Sequence, residues 1–392
     1  MTVAAAGATT LLGGLTPRGF LERYWQKKPL LVRNAFPDFS PPLSPEELAG
    51  LACEKGVESR LVLQTHKAPG WKLRQGPFHH GDFAKLPKSR WTLLVQDVDK
   101  HVPAAERLLD PFRFIHNWRI DDVMASYAVD GGSVGPHVDA YDVFLLQAAG
   151  MRRWGIHTGN QEELTLPGLE LKQVKRFIPE ESWLLMPGDM LYLPPGVAHC
   201  GVAFGECMTF SIGFRAPTQA EMLADFAGQL VQAAQRDVHY SDPDLLPTTH
   251  PGEIPTEVRA RARQMMRAQL RPSDEALDVW FGCFMTESKP WLKPVPPTRR
   301  TGAAKLKTGL AKGRRLAWNP AVRVAWFAAR QTCHLFVDGK HHPLPPRLAS
   351  FAELMGDGRS FTAKDLLQLT HHPEAGRLLL QWLDAGQLVW QR

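Results

Sequence analysis

No stretch of the sequence approaches the roughly 18 consecutive apolar residues of a membrane-spanning helix, so a membrane protein is excluded as the first reading. Cysteine is scarce. Cys53, Cys200, Cys207, Cys283 and Cys333 are odd in number and far apart, and none forms a C-x-x-C pair. That pattern excludes a disulfide framework and predicts a reducing, cytoplasmic setting. Met1 to Gly14 has neither a basic start nor a long apolar core, so it predicts a loose tail and no signal peptide. A large excess of one charge is also missing. Net +6 over 392 residues permits contact with nucleic acid without requiring it. What remains is the composition of a globular chain, 44% hydrophobic and 22% charged, long enough for two or three domains.

Against this background one stretch carries chemistry: Gly135-Pro136-His137-Val138-Asp139, answered by Pro194-Pro195-Gly196-Val197-Ala198-His199. Residues i and i+2 of an extended segment share a face, so His137 and Asp139 project together. His199 from a distant strand would complete a 2-His-1-carboxylate facial triad. That set suits Fe(II) and leaves coordination positions open, whereas a structural zinc site is usually closed by four ligands. A bare His-x-Asp arises by chance in many chains. Here it has context: a glycine-rich approach (Gly131–Pro136), a β-rich run Tyr141–Gln147, and a further strand from Gly150 to Ile156. The apolar runs Trp183–Met186 and Met190–Leu193 are split by the turn Pro187-Gly188-Asp189. Two histidine-bearing hairpins are what a small β-barrel needs to hold a metal in its mouth. Cys200 adjoins His199 but faces the other way on an extended strand, and is read as packing.

Ahead of this region, helices are predicted over Thr16–Tyr24 and Glu46–Cys53 and strands over Pro29–Arg33, Ser59–Thr65 and Trp91–Val95. Together they make a mainly antiparallel β domain with amino-terminal helices, ending near Ala216-Pro217. Thr218 and Glu221 then form a capping box, and three helices follow, the second from Thr256 and the third capped by Ser273. The third carries an apolar stripe of Leu277, Trp280, Phe281 and Phe284. Residues 293–315 read as a basic linker, a solvated connector or a weak RNA contact. Strands over Val322–Ala328 and Cys333–Val337 follow, with a turn at Asp338-Gly339. A Thr362-capped helix through Leu369, a helix from Pro373 to Ala385 stopped by Gly386, and a last strand over Leu388–Gln391 complete a winged-helix-like region. Its last helix exposes Glu374 and Asp384 and no basic row, which favours a structural or protein-docking role over DNA binding.

The phrases Asn117 to Met124, Gly135 to Gln147, Pro187 to His199 and Phe210 to Pro217, with Phe20 to Leu30 near the amino terminus, resemble the JmjC/cupin 2-oxoglutarate oxygenases. Among these the chain is most similar to the ribosomal oxygenases. The resemblance weakens after about Ser288. It implies a double-stranded β-helix barrel over residues 1–217, a helical dimerisation region at 218–292, the linker at 293–315 and a winged-helix-like domain at 316–392. It implies Fe(II), 2-oxoglutarate and O2 as cofactor and co-substrates, a large-subunit ribosomal protein as substrate, hydroxylation of an arginine β-carbon, and a homodimer.

The distal carboxylate of 2-oxoglutarate needs a cation, and Arg152 and Arg153 stand together, one pointing in and one out. Sequence alone leaves that choice open; the resemblance puts the role on Arg152, with Ser126 adding a hydroxyl. Thr209 lies where relatives carry an amide, so a role for it is not assigned. The substrate pocket implied by the resemblance falls on Asp122, Met124, Tyr141 and Ser211. Their chemistry suits a planar cation: a carboxylate for the charge, a ring and a thioether for the faces, and a hydroxyl as acceptor. Three alternatives remain: a histidinyl hydroxylase, a small-molecule cupin enzyme without 2-oxoglutarate, and a non-enzymatic JmjC-like binding module.

Overall fold

A computed structural model describes residues 10–65, 70–160, 163–165, 172–234, 238–270, 272–367 and 372–391. Most of the tail Met1–Gly14 and the expected helix end at Leu369 lie outside them. The chain divides into two compact units: one of the residues up to Ala216 with Ser288–Val322 and Asp357–Arg392, the other of Pro217–Glu287 with Arg323–Gly356.

The first unit is built on a ten-stranded antiparallel sheet. Its main path runs β1 (Leu30–Val32), β11 (Met190–Leu193), β7 (Val143–His157), β12 (Ala198–Phe214), β5 (Ile120–Ala128), β4 (Trp91–Val95), β2 (Ser59–Gln64) and β3 (Trp71–Gln75). Two short strands lie off this path: β6 (His137–Val138) pairs with β12, and β10 (Glu181–Leu185) pairs with β7. β7 and β12 are long enough to serve two sets of partners. β7 bonds β11 over its first turns of sequence and β10 over its last, and β12 bonds β6 at its start and β5 at its end. The register between them slips around Phe204 and Met208, opposite Gly150, whose φ is +59°. A Cβ at Gly150 would lie 1.9 Å from the Glu206 carbonyl, so this bend requires glycine.

Alternation along each strand sorts the side chains. Val123 and Ala125 of β5, Phe144 and Leu146 of β7 and Phe210, Ile212 and Phe214 of β12 face an apolar core shared with Phe20, Leu48 and Phe112. The rings of Phe20 and Tyr192 meet edge to face at 5.0 Å, and those of Phe112 and Phe144 lie 4.7 Å apart. Removing such a buried ring costs about 3–5 kcal/mol. The helix Pro17–Arg23 starts at Thr16, whose hydroxyl accepts from Gly19, and Pro45–Leu51 starts with a Ser44–Glu47 capping box. The opposite faces of the same strands, beginning with Asp122, Met124 and Ser126, line the cavity described below.

Residues 293–315, expected as a basic linker, are not without regular structure. Ala303–Ala311 is a helix with Leu306 and Leu310, one turn apart, buried, and Gly309 tight against the Trp390 ring. Lys305, Lys307, Lys312, Arg314 and Arg315 stay exposed on it and after it. The domain boundary at 217 agrees with the division of the chain, but those at 292 and 316 do not. Residues 288–322 and 357–392 belong with the first unit, where β13 (Leu316–Trp318) pairs β17 (Ser360–Phe361) and β18 (Leu388–Trp390), and Trp318 packs on Trp382 of the helix Pro373–Asp384.

In the second unit the three expected helices are Gln219–Ala233, Thr256–Gln269 and Asp274–Thr286. The last packs on a three-stranded sheet, β14 (Val324–Ala328), β15 (Cys333–Val337) and β16 (Lys340–Leu344), with Gly282 against the Phe336 ring. Trp280 is not left wet: its ring meets Phe226 at 5.2 Å and its indole N–H donates to Asp225. No helix among the described residues is long and apolar enough to cross a membrane.

Candidate active site

β6 and the turn before β12 bring the two histidine motifs together. His199 pairs with His137 across the β6–β12 ladder, and the Gly196 N–H donates to the Asp139 carbonyl at 2.9 Å. Nε2 of His137 lies 3.9 Å from one Asp139 oxygen and Nε2 of His199 lies 3.6 Å from the other. All three donor atoms fall within 4.8 Å of one another. Each imidazole is oriented from behind: Nδ1 of His137 bonds the Gly135 carbonyl and Nδ1 of His199 the Val197 carbonyl, both at 3.0 Å. Those contacts put the proton on Nδ1 and the free lone pair on Nε2, facing the carboxylate. Burial brings the His199 imidazole down to about 4, so it stands neutral and ready to ligate at pH 7. Gly135 has φ +83°, and a Cβ there would strike the Gln173 amide at 2.0 Å; the loop that aims His137 depends on that glycine.

The triad sits in the wall of a cavity of about 270 Å³. It is lined by His137, Asp139, His199, Arg152, Ser126, Asp122, Met124, Tyr141 and Ser211, among others. Arg152 is 5% exposed, and its Nε and Nη2 have no hydrogen-bond partner among the described residues. Its guanidinium lies 5.7 Å from the Trp154 ring centroid, and the Trp154 indole N–H is likewise unpaired. Arg153 faces solvent. Unpaired donors on a buried cation are costly unless an anion meets them, so this end of the cavity fits a carboxylate ligand. Ser126 donates to the Thr209 carbonyl at 3.4 Å; Thr209 turns its hydroxyl to Gln147 and is absent from the cavity lining.

At the other end, Asp122 is buried beside Gly213, which leaves room for it: a Cβ there would sit 3.3 Å from the carboxylate. Its Oδ2 accepts from the Asp97 N–H at 3.0 Å; with the Gln96 amide turned so that both its ends are satisfied, its nitrogen donates to the same oxygen at 3.1 Å and its oxygen takes Arg60 Nη2 at 2.7 Å. Lys289 Nζ stands 3.8 Å from the same carboxylate. Burial pushes the Asp122 carboxyl up to about 7, against the pull of Lys289. Tyr141, 42% exposed, stands at the rim. The residue after it, fully buried Asp142, is tied down by Tyr192, Gln26 and Arg119 at 2.6, 3.0 and 3.1 Å. Sequence reading missed Gln96, Arg60 and Lys289. Gln96 and Arg60 belong to strand edges with no motif around them, and nothing local marks a lysine that meets its partner from 192 positions away.

The donor set, two imidazoles and a carboxylate with an open side, fits Fe(II), and the orphaned Arg152 fits the distal carboxylate of a keto acid.

A JmjC domain model matches residues 107–222, and a ROXA-like winged-helix model matches residues 265–389. The chain is 43% identical over 282 residues, 71% of its length and 73% of the relative's, to the ribosomal protein uL16 3-hydroxylase of Escherichia coli K12. It is 37% identical to a probable ribosomal oxygenase of Haemophilus influenzae, over 59% of this chain and 55% of that one. The X-ray structure of E. coli YcfD superposes with a TM-score of 0.83 at 34% identity, covering 96% of this chain and 98% of that one. A YcfD structure in complex with cobalt and 2-oxoglutarate matches with a TM-score of 0.81 at 34% identity, covering 96% and 99%. With its triad, cavity and barrel in place, the chain belongs to the JmjC ribosomal oxygenases.

Proposed function

We propose that this protein is an Fe(II)- and 2-oxoglutarate-dependent hydroxylase of an arginine side chain, at its β-carbon, in a large-subunit ribosomal protein. One observation carries the reading: a three-donor metal site, an orphaned buried arginine and a buried aspartate line a single cavity. Iron held by His137, Asp139 and His199 would supply the O2 chemistry that couples oxidative decarboxylation of 2-oxoglutarate, to succinate and CO2, to hydroxylation of a C–H bond.

The chain's own residues orient that chemistry. His137, Asp139 and His199 hold one face of the metal. Arg152 grips the distal carboxylate of 2-oxoglutarate, with Ser126 near it. Asp122 supplies the anion for a guanidinium, Tyr141 and Met124 offer its faces a ring and a thioether, and Ser211 accepts a hydrogen bond. The names of the relatives support a ribosomal protein as the target, and a cytoplasmic location suits that substrate. The orphaned Arg152 gives the small-molecule reading without 2-oxoglutarate no support.

The helices of residues 218–292 support a homodimer. Leu223, Val231, Met266 and Leu270 are 58–72% exposed there, a larger apolar surface than a lone chain usually keeps wet. The exposed basic residues after Pro297 suit a weak, salt-sensitive contact with RNA, and the winged-helix-like region a docking role. Mass spectrometry of ribosomal proteins from cells with and without the gene tests the function. A 16 Da gain on one arginine, present only with the gene, is expected. Identical spectra, or a gain on histidine, would overturn it.

A further inference from the structure

Behind the substrate end of the cavity lies a knot of charge that the triad and Arg152 do not use. It gathers Asp97 and Asp99, each 1% exposed, with Asp122 and two lysines. Lys100 pairs with Asp99, and Asp99 Oδ1 accepts the Val123 N–H at 2.8 Å. Lys289 pairs with Asp97 at 2.8 Å and stands 3.8 Å from Asp122. The Asp97 backbone N–H donates to the Asp122 carboxylate at 3.0 Å, so the residue that holds Lys289 also holds Asp122. The backbone at Asp97 holds φ +56°, unusual for a residue with a side chain and kept here by these contacts.

Each lysine has a carboxylate of its own in direct contact. One carboxylate is left whose nearest ammonium is a full ångström further away, and it is the one that opens to the cavity. We propose that Lys289 is a specificity-determining positioning residue. From outside the barrel segment of the chain, it sets the charge of Asp122 through the Asp97–Asp122 pair and so makes the cavity select a cationic side chain. This inference rests on the proposed arginine substrate for its consequence, not for its mechanism.

Every charged group facing Asp122 bears on the argument. Asp97, Asp99 and Asp121 on the neighbouring segments disfavour a further negative charge. Arg60 reaches it only through Gln96, and Lys100 is committed to Asp99 and the Asp121 carbonyl. His101 is kept neutral by its own burial. Lys289 is the cation with a direct line to the carboxylate. Burial works against its own charge, and Asp122, Asp121 and Asp97 outweigh that burial. Replacing it with a neutral side chain leaves buried carboxylates facing one another, and the cheapest relief is for Asp122 to take up a proton. A protonated Asp122 still fills its space and still hydrogen-bonds, but it no longer attracts a guanidinium.

The test uses the full-length iron-loaded enzyme and its Lys289→Met and Lys289→Arg variants. Two peptides are compared, one with arginine at the target position and one with citrulline, its neutral isostere. The wild type should favour arginine. Lys289→Met should lose about fivefold or more of that preference at pH 7, through KM rather than kcat, and recover it as pH rises; Lys289→Arg should keep it. The Kd for 2-oxoglutarate should not change. Infrared titration of the Asp122 acid band, assigned by its loss in Asp122→Asn, should show a midpoint at least about one pH unit higher in Lys289→Met, with or without peptide. An unmoved midpoint, or a preference as strong in Lys289→Met as in the wild type, would overturn the inference. A wild type that does not favour arginine would instead overturn the substrate reading, and the infrared midpoint would still decide the role of Lys289. If Lys289→Met does not fold, Lys289→Gln is read the same way.

Discussion

Arg152 and Arg153 are adjacent on β7 and face opposite sides of it: Arg152 is buried over Trp154 with two unpaired nitrogens, and Arg153 is in solvent. The pair is therefore an internal control. Arg152→Ala removes the charge-assisted contact offered to a distal carboxylate, worth about 1.5–3 kcal/mol, and should raise the KM for 2-oxoglutarate at least about tenfold. Arg153→Ala should change it little. Succinate formation across a 2-oxoglutarate titration checks both, and the reverse ranking would contradict the strand facing.

A second expectation concerns the metal. His137→Ala, Asp139→Ala and His199→Ala should each weaken Fe(II) binding and abolish hydroxylation while leaving the fold largely intact. The sheet is held by the core around Phe20, Phe112, Phe144 and Phe210, which lies on the other face of the strands. Calorimetry with Fe(II) under anaerobic conditions and thermal melts separate the two effects. A fully active Asp139→Ala enzyme at micromolar iron would remove the triad from the mechanism.

How much of this could be read in advance depended on the range of each signal. The triad was legible because period-two spacing fixes the facing of His137 and Asp139, and because a Pro-Gly turn introduces His199. The choice between Arg152 and Arg153 was not. A left-handed glycine and a register slip, at Gly150 and opposite it, break the alternation that would carry the phase from Tyr141 to Arg152. The helix Ala303–Ala311 was hidden because basic residues from Arg299 to Arg315 set the character of the stretch around it, while the short apolar pair Leu306 and Leu310 finds its place only once Trp390 supplies a surface for Gly309. β16 was missed because Lys340–Leu344 contains two histidines and a proline, and it holds as a strand by pairing along the whole of β15. Lys289 was out of reach of any local pattern.

The third expectation is the assembly. Light scattering at micromolar concentrations should report a particle of two chains. Leu277 and Phe281, each 36% exposed on the helix Asp274–Thr286, are the residues that a second copy would cover in the proposed dimer, whereas Trp280 is already engaged within the chain. Phe281→Asp places a charge where about 1.5–3 kcal/mol of apolar burial is expected, and should shift the equilibrium towards single chains. A wild type that scatters as one chain throughout that range contradicts the dimer.

The substrate end gives the last expectation, and it joins affinity to stability. Burial first, then the surrounding aspartates, raise the Asp122 carboxyl to about 7 against the pull of Lys289, whereas in the unfolded chain it titrates near an ordinary aspartate. Between roughly pH 4 and pH 7 the folded state therefore holds a proton that the unfolded state has released. The contribution of this group to stability then falls as pH rises through that window, and Asp122→Asn should flatten that part of the profile. Affinity for a guanidinium must run the other way, because only the ionised carboxylate attracts it. The kcat/KM for an arginine peptide should climb through pH 7 while binding of 2-oxoglutarate stays level. Asp122→Ala and Tyr141→Ala should depress peptide turnover strongly and leave Fe(II) and 2-oxoglutarate binding nearly unchanged. Lysine at the target position should fail even though its charge is right, since an ammonium offers neither a planar face to Tyr141 nor a forked pair of donors to Asp122. A panel of ribosomal-protein peptides with Arg, Lys or His at that position decides the matter: preferential turnover of the His peptide, or an Asp122→Ala enzyme as active as wild type on the Arg peptide, would move this protein to the histidinyl branch of its family.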